Sequence, residues 1–189
     1  MIEESTPDKR APEPLRFVQQ FVNTAELDED AEDLTSPEAL RDWMAARELA
    51  DPDAKVTDAD LRRALEVREG LRDVLYTHNG GERDQEALDQ LERAAARASL
   101  RATFAGDCAP RLTPAAKGTD AGLARLLAIV ARSAADGTWD RLKACAGPDC
   151  RWAFYDKSKN RSGRWCSMAT CGNLHKTRAF RERAKASEA

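Results

Sequence analysis

Apolar residues recur at intervals of three and four along most of the chain, the spacing that places them on one face of a helix. The first stripe lies between residues 15 and 22, and others follow at residues 40–44, 61–75, 88–98 and 123–134. Two of these helices have clear start signals: Ser36 precedes Pro37, and Thr57 precedes Asp60 in the arrangement of a capping box. The pattern therefore predicts a helical region over about the first 140 residues.

Short strands are predicted where the helical spacing breaks down. Residues 99–104 and 108–112 flank a break and favour a hairpin. Residues 151–156 and 163–166 are also expected to pair, around a turn at residues 157–162. The expected fold class is mainly α with a short β-hairpin, that is, α+β.

Four of the five cysteines form two evenly spaced pairs. Four residues separate Cys145 from Cys150 and Cys166 from Cys171, and fifteen residues lie between the pairs. Two such pairs supply the four thiolates that close a tetrahedral structural zinc site. Two disulfides are the alternative. The chain has no secretory leader, so we expect a reducing compartment and favour zinc.

The remaining cysteine and the two histidines are expected to lie outside the metal site. His175 follows the last cysteine of the pairs by one helical turn and could replace a ligand, but four thiolates already complete a structural site. Cys108 is expected to be a small buried residue; redox sensing is the alternative, which the lack of a cation beside the thiol disfavours. His78 is expected to be structural.

The residues around the cysteines carry a family resemblance. An aromatic-Asp-Lys-Ser string leads into the turn, Trp-Cys-Ser-Met contains Cys166, and Cys-Gly-Asn begins at Cys171. Over about residues 140–185 this resembles the CGNR zinc-finger family. The chain departs from the motif at its fourth position, where Leu174 replaces arginine. The order of ligand pair, hairpin, ligand pair and helix indicates a small treble-clef-like finger with one structural Zn²⁺.

The N-terminal part carries a second resemblance. The string F-V-Q-Q-F-V-N-T at residues 17–24 and L-R-D-W at residues 40–43 look like the opening helices of the ABATE domain, described as a putative stress-induced transcription regulator. The resemblance implies an ABATE-like domain at residues 1–140, with residues 1–13 expected to be flexible. A CGNR-type finger with a basic C-terminal helix follows at residues 141–189.

Charge is strongly segregated along the chain, although the net charge is only −3. Residues 141–189 contain 12 basic and 4 acidic side chains, a net charge of +8, which leaves −11 on the rest. A basic segment attached to an acidic body is typical of a nucleic-acid-binding module. The expected DNA-contacting residues lie in the turn and in the final helix: Lys157, Lys159, Arg161, Lys176, Arg178, Arg181 and Lys185.

Other functional classes are less well supported. The sequence contains no catalytic constellation, so we expect no enzyme activity. Without a leader or a long apolar run, we expect a cytoplasmic protein with no membrane contact. A zinc-stabilised protein-interaction adaptor without DNA contact is the alternative function, and RNA stays open beside DNA. The N-terminal domain could bind a small molecule, a protein effector or a second copy of itself as a homodimer.

Overall fold

The computed structural model describes residues 8–104, 106 and 108–177 and has a mainly helical fold with three short antiparallel strand pairs among these residues. The α-helices are α1 (Leu15–Val22), α2 (Pro37–Ala45), α3 (Asp58–Thr77), α4 (Gln85–Ala95) and α5 (Gly118–Ala135). The strand pairs are β1 (Ala25–Glu26) with β2 (Ala31–Glu32), β3 (Leu100–Phe104) with β4 (Pro110–Pro114), and β5 (Leu142–Ala144) with β6 (Ala153–Tyr155). The predicted fold class is confirmed.

The predicted helix starts are formed by the expected side chains. The hydroxyl of Ser36 accepts a hydrogen bond from the backbone N–H of Ala39, 3.2 Å away. Thr57 and Asp60 cap each other reciprocally at the start of α3. This helix ends just before Gly80, whose φ of 78° lies in the left-handed region that favours glycine.

One hydrophobic core joins the helices to the last strand pair. The inner faces of α1, α2, α3 and α5 meet around side chains such as Phe21, Met44 and Leu75, each fully buried. Leu142 of β5 and Tyr155 of β6 belong to the same core. None of the described helices combines the length and the apolar character that crossing a bilayer requires.

Arg68 lies on the apolar stripe of α3 and is buried in an ion pair. Its position in the sequence allows a side chain that extends along the surface to reach water, a buried ion pair or a polar pocket; the first is the default expectation, and the structure shows the second. Its guanidinium group donates to both carboxylate oxygens of Glu32, each 2.7 Å away, and to the hydroxyl of Thr24 at 3.0 Å. The residue is only 4% exposed, so it fastens β2 to α3 from within the core.

The predicted pairing of residues 151–156 with residues 163–166 is wrong. The first of these segments does contain a strand, β6, but it pairs with β5, with Lys143 opposite Phe154. The segment at residues 163–166 forms no strand. The sequence indicates a local turn between neighbouring segments, whereas β5 lies before the first cysteine pair, and no local signal links it to β6.

The outer edge of β6 is covered by the amino-terminal part of the chain. The side-chain amide of Asn23 bonds both backbone groups of Ala153: its oxygen accepts from the N–H at 2.7 Å, and its nitrogen donates to the carbonyl at 2.9 Å. Gln19 donates to the same carbonyl, and the N–H of Tyr155 donates to the carbonyl of Lys9. This strand edge is therefore closed by side chains and backbone that precede the finger.

The outer edge of β5 is covered by the end of α3. The Nδ1–H of His78 donates to the carbonyl of Leu142 at 2.9 Å, and the ring packs edge-on against Trp139. The side-chain amide of Asn79 donates to the carbonyls of Ala144 and Arg164 at 2.7 and 2.8 Å. The structural role expected for His78 is confirmed, and the two edges of this strand pair are each held by residues 9–79.

Asn23→Ala should destabilise the protein by about 2 kcal/mol, because it leaves two buried backbone groups of Ala153 without this partner. Asn160→Ala removes the same atoms from an exposed loop position and should change the stability by less than about 0.5 kcal/mol. Urea unfolding of both zinc-loaded variants measures the difference. Equal midpoints for the two variants would show that Asn23 does not hold the strand.

Candidate metal centre and basic loop

The four paired cysteines come together from three parts of the chain's last segment. Cys145 directly follows β5, and Cys150 comes after the next turn, in which Gly147 accepts hydrogen bonds from the backbone N–H groups of residues 150 and 151. Cys166 lies in a loop, and Cys171 lies in the π-helical turn Met168–Gly172. Cys145 and Cys150 are buried, and the other two are half-buried.

The sulfur positions fit a tetrahedral metal ion. All four Sγ atoms lie within 4.8 Å of one another, and the distances from Cys166 to Cys150 and to Cys171 are both 3.6 Å. Zinc–sulfur bonds of about 2.3 Å place the sulfurs of a regular tetrahedron about 3.8 Å apart. A disulfide would require about 2.05 Å. The thiols are free and form a four-cysteine metal-binding site that fits one structural zinc.

The ionisation of the cluster also calls for a cation. Hydrogen bonding with Cys150 and Cys166 lowers the pKa of Cys145. A hydrogen bond with Cys145 raises the pKa of both Cys150 and Cys166, and repulsion from the Cys145 thiolate adds to the rise. A divalent cation bound by all four sulfurs removes this repulsion, and the closed ligand set gives it a structural rather than a catalytic role.

The other residues considered as ligands lie elsewhere. His175 does not belong to the cluster of ligand side chains within the described residues, and its ring stacks on Trp165 with centroids 4.3 Å apart. Cys108 was expected to be buried, and this is wrong: the residue is exposed at the hairpin between β3 and β4, with a φ of 58°. Its thiol was read as a small apolar group, but the hairpin places it beyond the core.

A residue of the helical part holds both cysteine pairs in place. Asn79 is 7% exposed and bonds the carbonyl that precedes Cys145 as well as the carbonyl of Arg164, two positions before Cys166. Arg164 also accepts from the N–H of Ala146. In the sequence, Asn79 followed by Gly80 and Gly81 predicts only the end of a helix. One signal could have indicated that Asn79 also holds the cysteine loops. An amide side chain at a buried helix end has several hydrogen bonds to satisfy and needs partners for them.

Arg151, directly after Cys150, ties the metal centre to α3. Its guanidinium group stacks on the ring of Tyr76, 3.5 Å from the centroid, and approaches Asp73 at 3.4 Å. Its carbonyl accepts a hydrogen bond from the buried Arg72. No signal in the sequence distinguishes Arg151 from the other cations of this basic segment, because its role depends on contacts with α3 that only the fold provides.

The basic loop (residues 157–162) is organised by a buried ion pair. Lys143 and Asp156 are 4% and 2% exposed, and the ammonium nitrogen lies 2.8 Å from a carboxylate oxygen. The carboxylate also accepts from the N–H groups of Ser158 and Gly163, at the two ends of the loop. Lys143 donates to the carbonyls of Arg161 and Gly163 as well. A Cβ added to Gly163 would lie 2.9 Å from the carboxylate, so the close approach needs glycine.

The proposed nucleic-acid-contacting residues lie partly within this loop. Lys157, Lys159 and Arg161 are exposed, and Lys176 is exposed on the helical segment after Cys171. Arg178, Arg181 and Lys185 lie outside the described residues. Of the four aromatic residues near the cysteines that the sequence predicts to form a small core, Phe154 and Tyr155 are 1% and 8% exposed, whereas Trp152 and Trp165 are half-buried.

Each of the changes Cys145→Ser, Cys150→Ser, Cys166→Ser and Cys171→Ser should abolish stoichiometric zinc binding, because three thiolates leave the site open. Cys108→Ser and His175→Ala should each retain one Zn²⁺ per chain, because neither side chain belongs to the cluster. Elemental analysis of the purified variants gives the stoichiometry. Loss of zinc in His175→Ala as complete as in Cys171→Ser would overturn the ligand assignment.

Asp156→Ala should cost about 3–5 kcal/mol, because it leaves the buried ammonium group of Lys143 without a counter-ion. Burial raises the pKa of Asp156, but the hydrogen bonds from Lys143, Ser158 and Gly163 outweigh it and hold this pKa below its ordinary range. The stabilisation is therefore complete above about pH 4 and is lost as the pH falls further.

Asp140→Ala serves as the matched control, since Asp140 is two-thirds exposed and lies 3.7 Å from its partner Arg161. Its loss should cost about 0–1 kcal/mol. Chemical denaturation at neutral pH compares the two variants. Equal stabilities would mean that the ion pair of Lys143 and Asp156 does not organise the loop.

Comparison with known families agrees with this geometry. Residues 141–184 match the family described as CGNR zinc finger, and residues 15–137 match the ABATE family, described as "Putative stress-induced transcription regulator". These are regulator and zinc-finger families rather than families of enzymes. No curated protein matches the chain. The order of the two matches is the order that the sequence motifs predicted, and the chain belongs to the ABATE family and ends in a CGNR zinc finger.

Proposed function

We propose that this chain is a DNA-binding transcription regulator whose zinc-bound segment contacts the phosphates of duplex DNA. The observation that carries the proposal is the basic loop, whose cations are exposed while its two ends are fixed by Asp156. A loop held in this way loses little conformational entropy when it binds a phosphate backbone. We place this activity in the cytoplasm.

The exposed cations of the loop have weak partners or none among the described residues. Lys157 contacts the half-exposed Asp8 at 3.1 Å, and Arg161 lies 3.7 Å from Asp140. Lys159 has no ion pair within the part of the chain that the structure describes. Surface pairs of this kind contribute about 0–1 kcal/mol and are screened by salt, so phosphate groups can replace them at little cost.

The final helical segment would add a second set of contacts. Lys176 is exposed one turn after Cys171, on a segment that the zinc site anchors. The sequence places Arg178, Arg181 and Lys185 at helical spacing beyond it, and we include these three residues in the proposed interface. The net charge of +8 on residues 141–189 supports an anionic partner, and the −11 on the rest limits non-specific binding.

The two sequence units, residues 1–140 and residues 141–189, would then have different roles. Residues 141–189 would contact DNA, and residues 1–140 would receive a signal from a small molecule, a protein effector or a second copy of the chain. The contacts of Asn23, Asn79 and Arg151 across the division give such a signal a path to the metal centre. The proposal contains no catalytic step and no membrane contact.

An adaptor that binds another protein through the same segment is the second candidate. Leu174 stands where the family motif has arginine, and it is 52% exposed. Met168 in the same helical segment is 48% exposed. Exposed apolar side chains beside a basic loop also suit a protein surface.

Removing two exposed cations of the proposed interface should weaken DNA binding and its salt dependence. Lys159→Gln combined with Lys176→Gln should reduce the log–log salt slope of the affinity by about 1.8, since each lost phosphate contact contributes about 0.9. Zinc content should not change. Fluorescence anisotropy with a labelled random-sequence duplex, measured across a salt series, gives the slope.

Lys55→Gln combined with Lys117→Gln is the matched control, because it removes two exposed lysines of the helical region and changes the net charge equally. This control should keep the wild-type slope. A zinc-loaded, folded protein that binds no duplex at low salt would contradict the DNA-binding proposal and favour the adaptor.

A further inference from the structure

A groove beside the basic loop is lined by cationic side chains from the amino-terminal part of the chain and from the loop itself. It has a volume of about 380 Å³, and the residues that line it include Arg10, Arg16, Tyr155 and Lys157. Arg16 belongs to α1, Tyr155 belongs to β6, and Lys157 begins the basic loop. The groove therefore continues the positively charged surface of the loop onto the amino-terminal segment (residues 8–14).

The sequence predicts flexibility over residues 1–13, whereas the amino-terminal segment (residues 8–14) is held in place by the protein's own hydrogen bonds. The carbonyl of Lys9 accepts from the N–H of Tyr155 at 2.8 Å, and the ammonium group of Lys9 donates to the carbonyl of Trp165 at 2.8 Å. The N–H of Ala11 donates to the buried side chain of Gln19 at 2.7 Å. The groove thus has two anchored walls.

An oxyanion already lies between the cations of this groove. One carboxylate oxygen of Asp8 accepts from the backbone N–H and from Nε of Arg10, at 3.0 and 2.8 Å. The other oxygen accepts from Arg10 at 3.3 Å and from Lys157 at 3.1 Å. Hydrogen bonds from Arg10, with the contribution of Lys157, hold the pKa of Asp8 well below its usual range. The groove binds a singly charged oxyanion with two cationic side chains and one amide.

We propose that this groove is a phosphate-binding site for the DNA backbone and that Asp8 occupies it as an internal competitor. A phosphodiester presents two anionic oxygens to the donors that Asp8 uses, and Arg16 adds a third cation at the groove wall. The side chains of Asp8, Arg10 and Lys157 are 47%, 64% and 51% exposed. Such exposed pairs are weak, so a polyanion displaces the carboxylate.

The inference rests on the proposed function and extends it to residues outside the finger. Residues 8–16 contribute two acidic and three basic side chains, in a body whose net charge is otherwise acidic. A DNA backbone that leaves the basic loop along this groove would meet Arg10 and Arg16. The amino-terminal segment then adds phosphate contacts and regulates them through Asp8.

The test uses the full-length, zinc-loaded protein and a labelled random-sequence duplex at 50 mM salt and above. Arg10→Gln combined with Arg16→Gln should weaken binding by about tenfold at 50 mM salt and reduce the salt slope by about 1.8. Arg62→Gln combined with Arg93→Gln removes two exposed arginines and serves as the control. Arg62 is a suitable control position because it is far from the strand pair. It lies 16 residues before His78, the residue that contacts β5, which is about 24 Å along α3.

Asp8→Asn provides a second arm with the opposite sign. It removes the competing charge and should tighten binding. If the wild type binds DNA but the Arg10 and Arg16 variant matches its control, or if Asp8→Asn does not tighten binding, the groove is not a phosphate site. If the wild-type protein binds no duplex at 50 mM salt, the proposed function and this inference both fail.

Discussion

The metal centre depends on how the two edges of a three-residue strand pair are satisfied. β5 and β6 are too short to form an independent sheet, and unpaired strand edges leave polar backbone groups that burial makes costly. Asn23 and Gln19 bond one edge, and His78 and Asn79 bond the other. Zinc bound by the cysteines would cross-link the chain after β5 and before β6 to the loop at Cys166 and the turn at Cys171. The strand pair of β5 and β6 is therefore stabilised both by the helical part of the chain and by the metal site.

This arrangement explains how a small zinc-bound segment can present a fixed basic loop. The strand pair belongs to the helical core through Leu142 and Tyr155. On the same strands, Lys143 and Asp156 place the loop's ends by hydrogen bonds. Because these hydrogen bonds fix the loop, its exposed cations do not have to pack against other side chains to hold the loop in position. The acidic helical part supplies rigidity, while the basic segment carries the exposed positive charge.

Much of the fold and of the metal site follows from local sequence signals. The helices could be predicted from the capping residues Ser36 and Thr57 and from the stripes of apolar residues. Caps and stripes each depend only on neighbours within a few positions of the chain. The cysteine spacing predicted the cluster. Partners that are distant in sequence could not be predicted: the pairing of β6 with β5, the burial of Arg68 against Glu32, and the exposure of Cys108 all depend on which elements meet in three dimensions.

The central claim, that zinc and helices stabilise one unit, is tested most directly by hydrogen exchange of the full chain with zinc and after chelation. The account predicts faster exchange in residues 145–171 and also in α1 and the last turns of α3, whose side chains lose ordered partners on β5 and β6. Faster exchange confined to residues 145–171, with α1 and α3 unchanged, would contradict it.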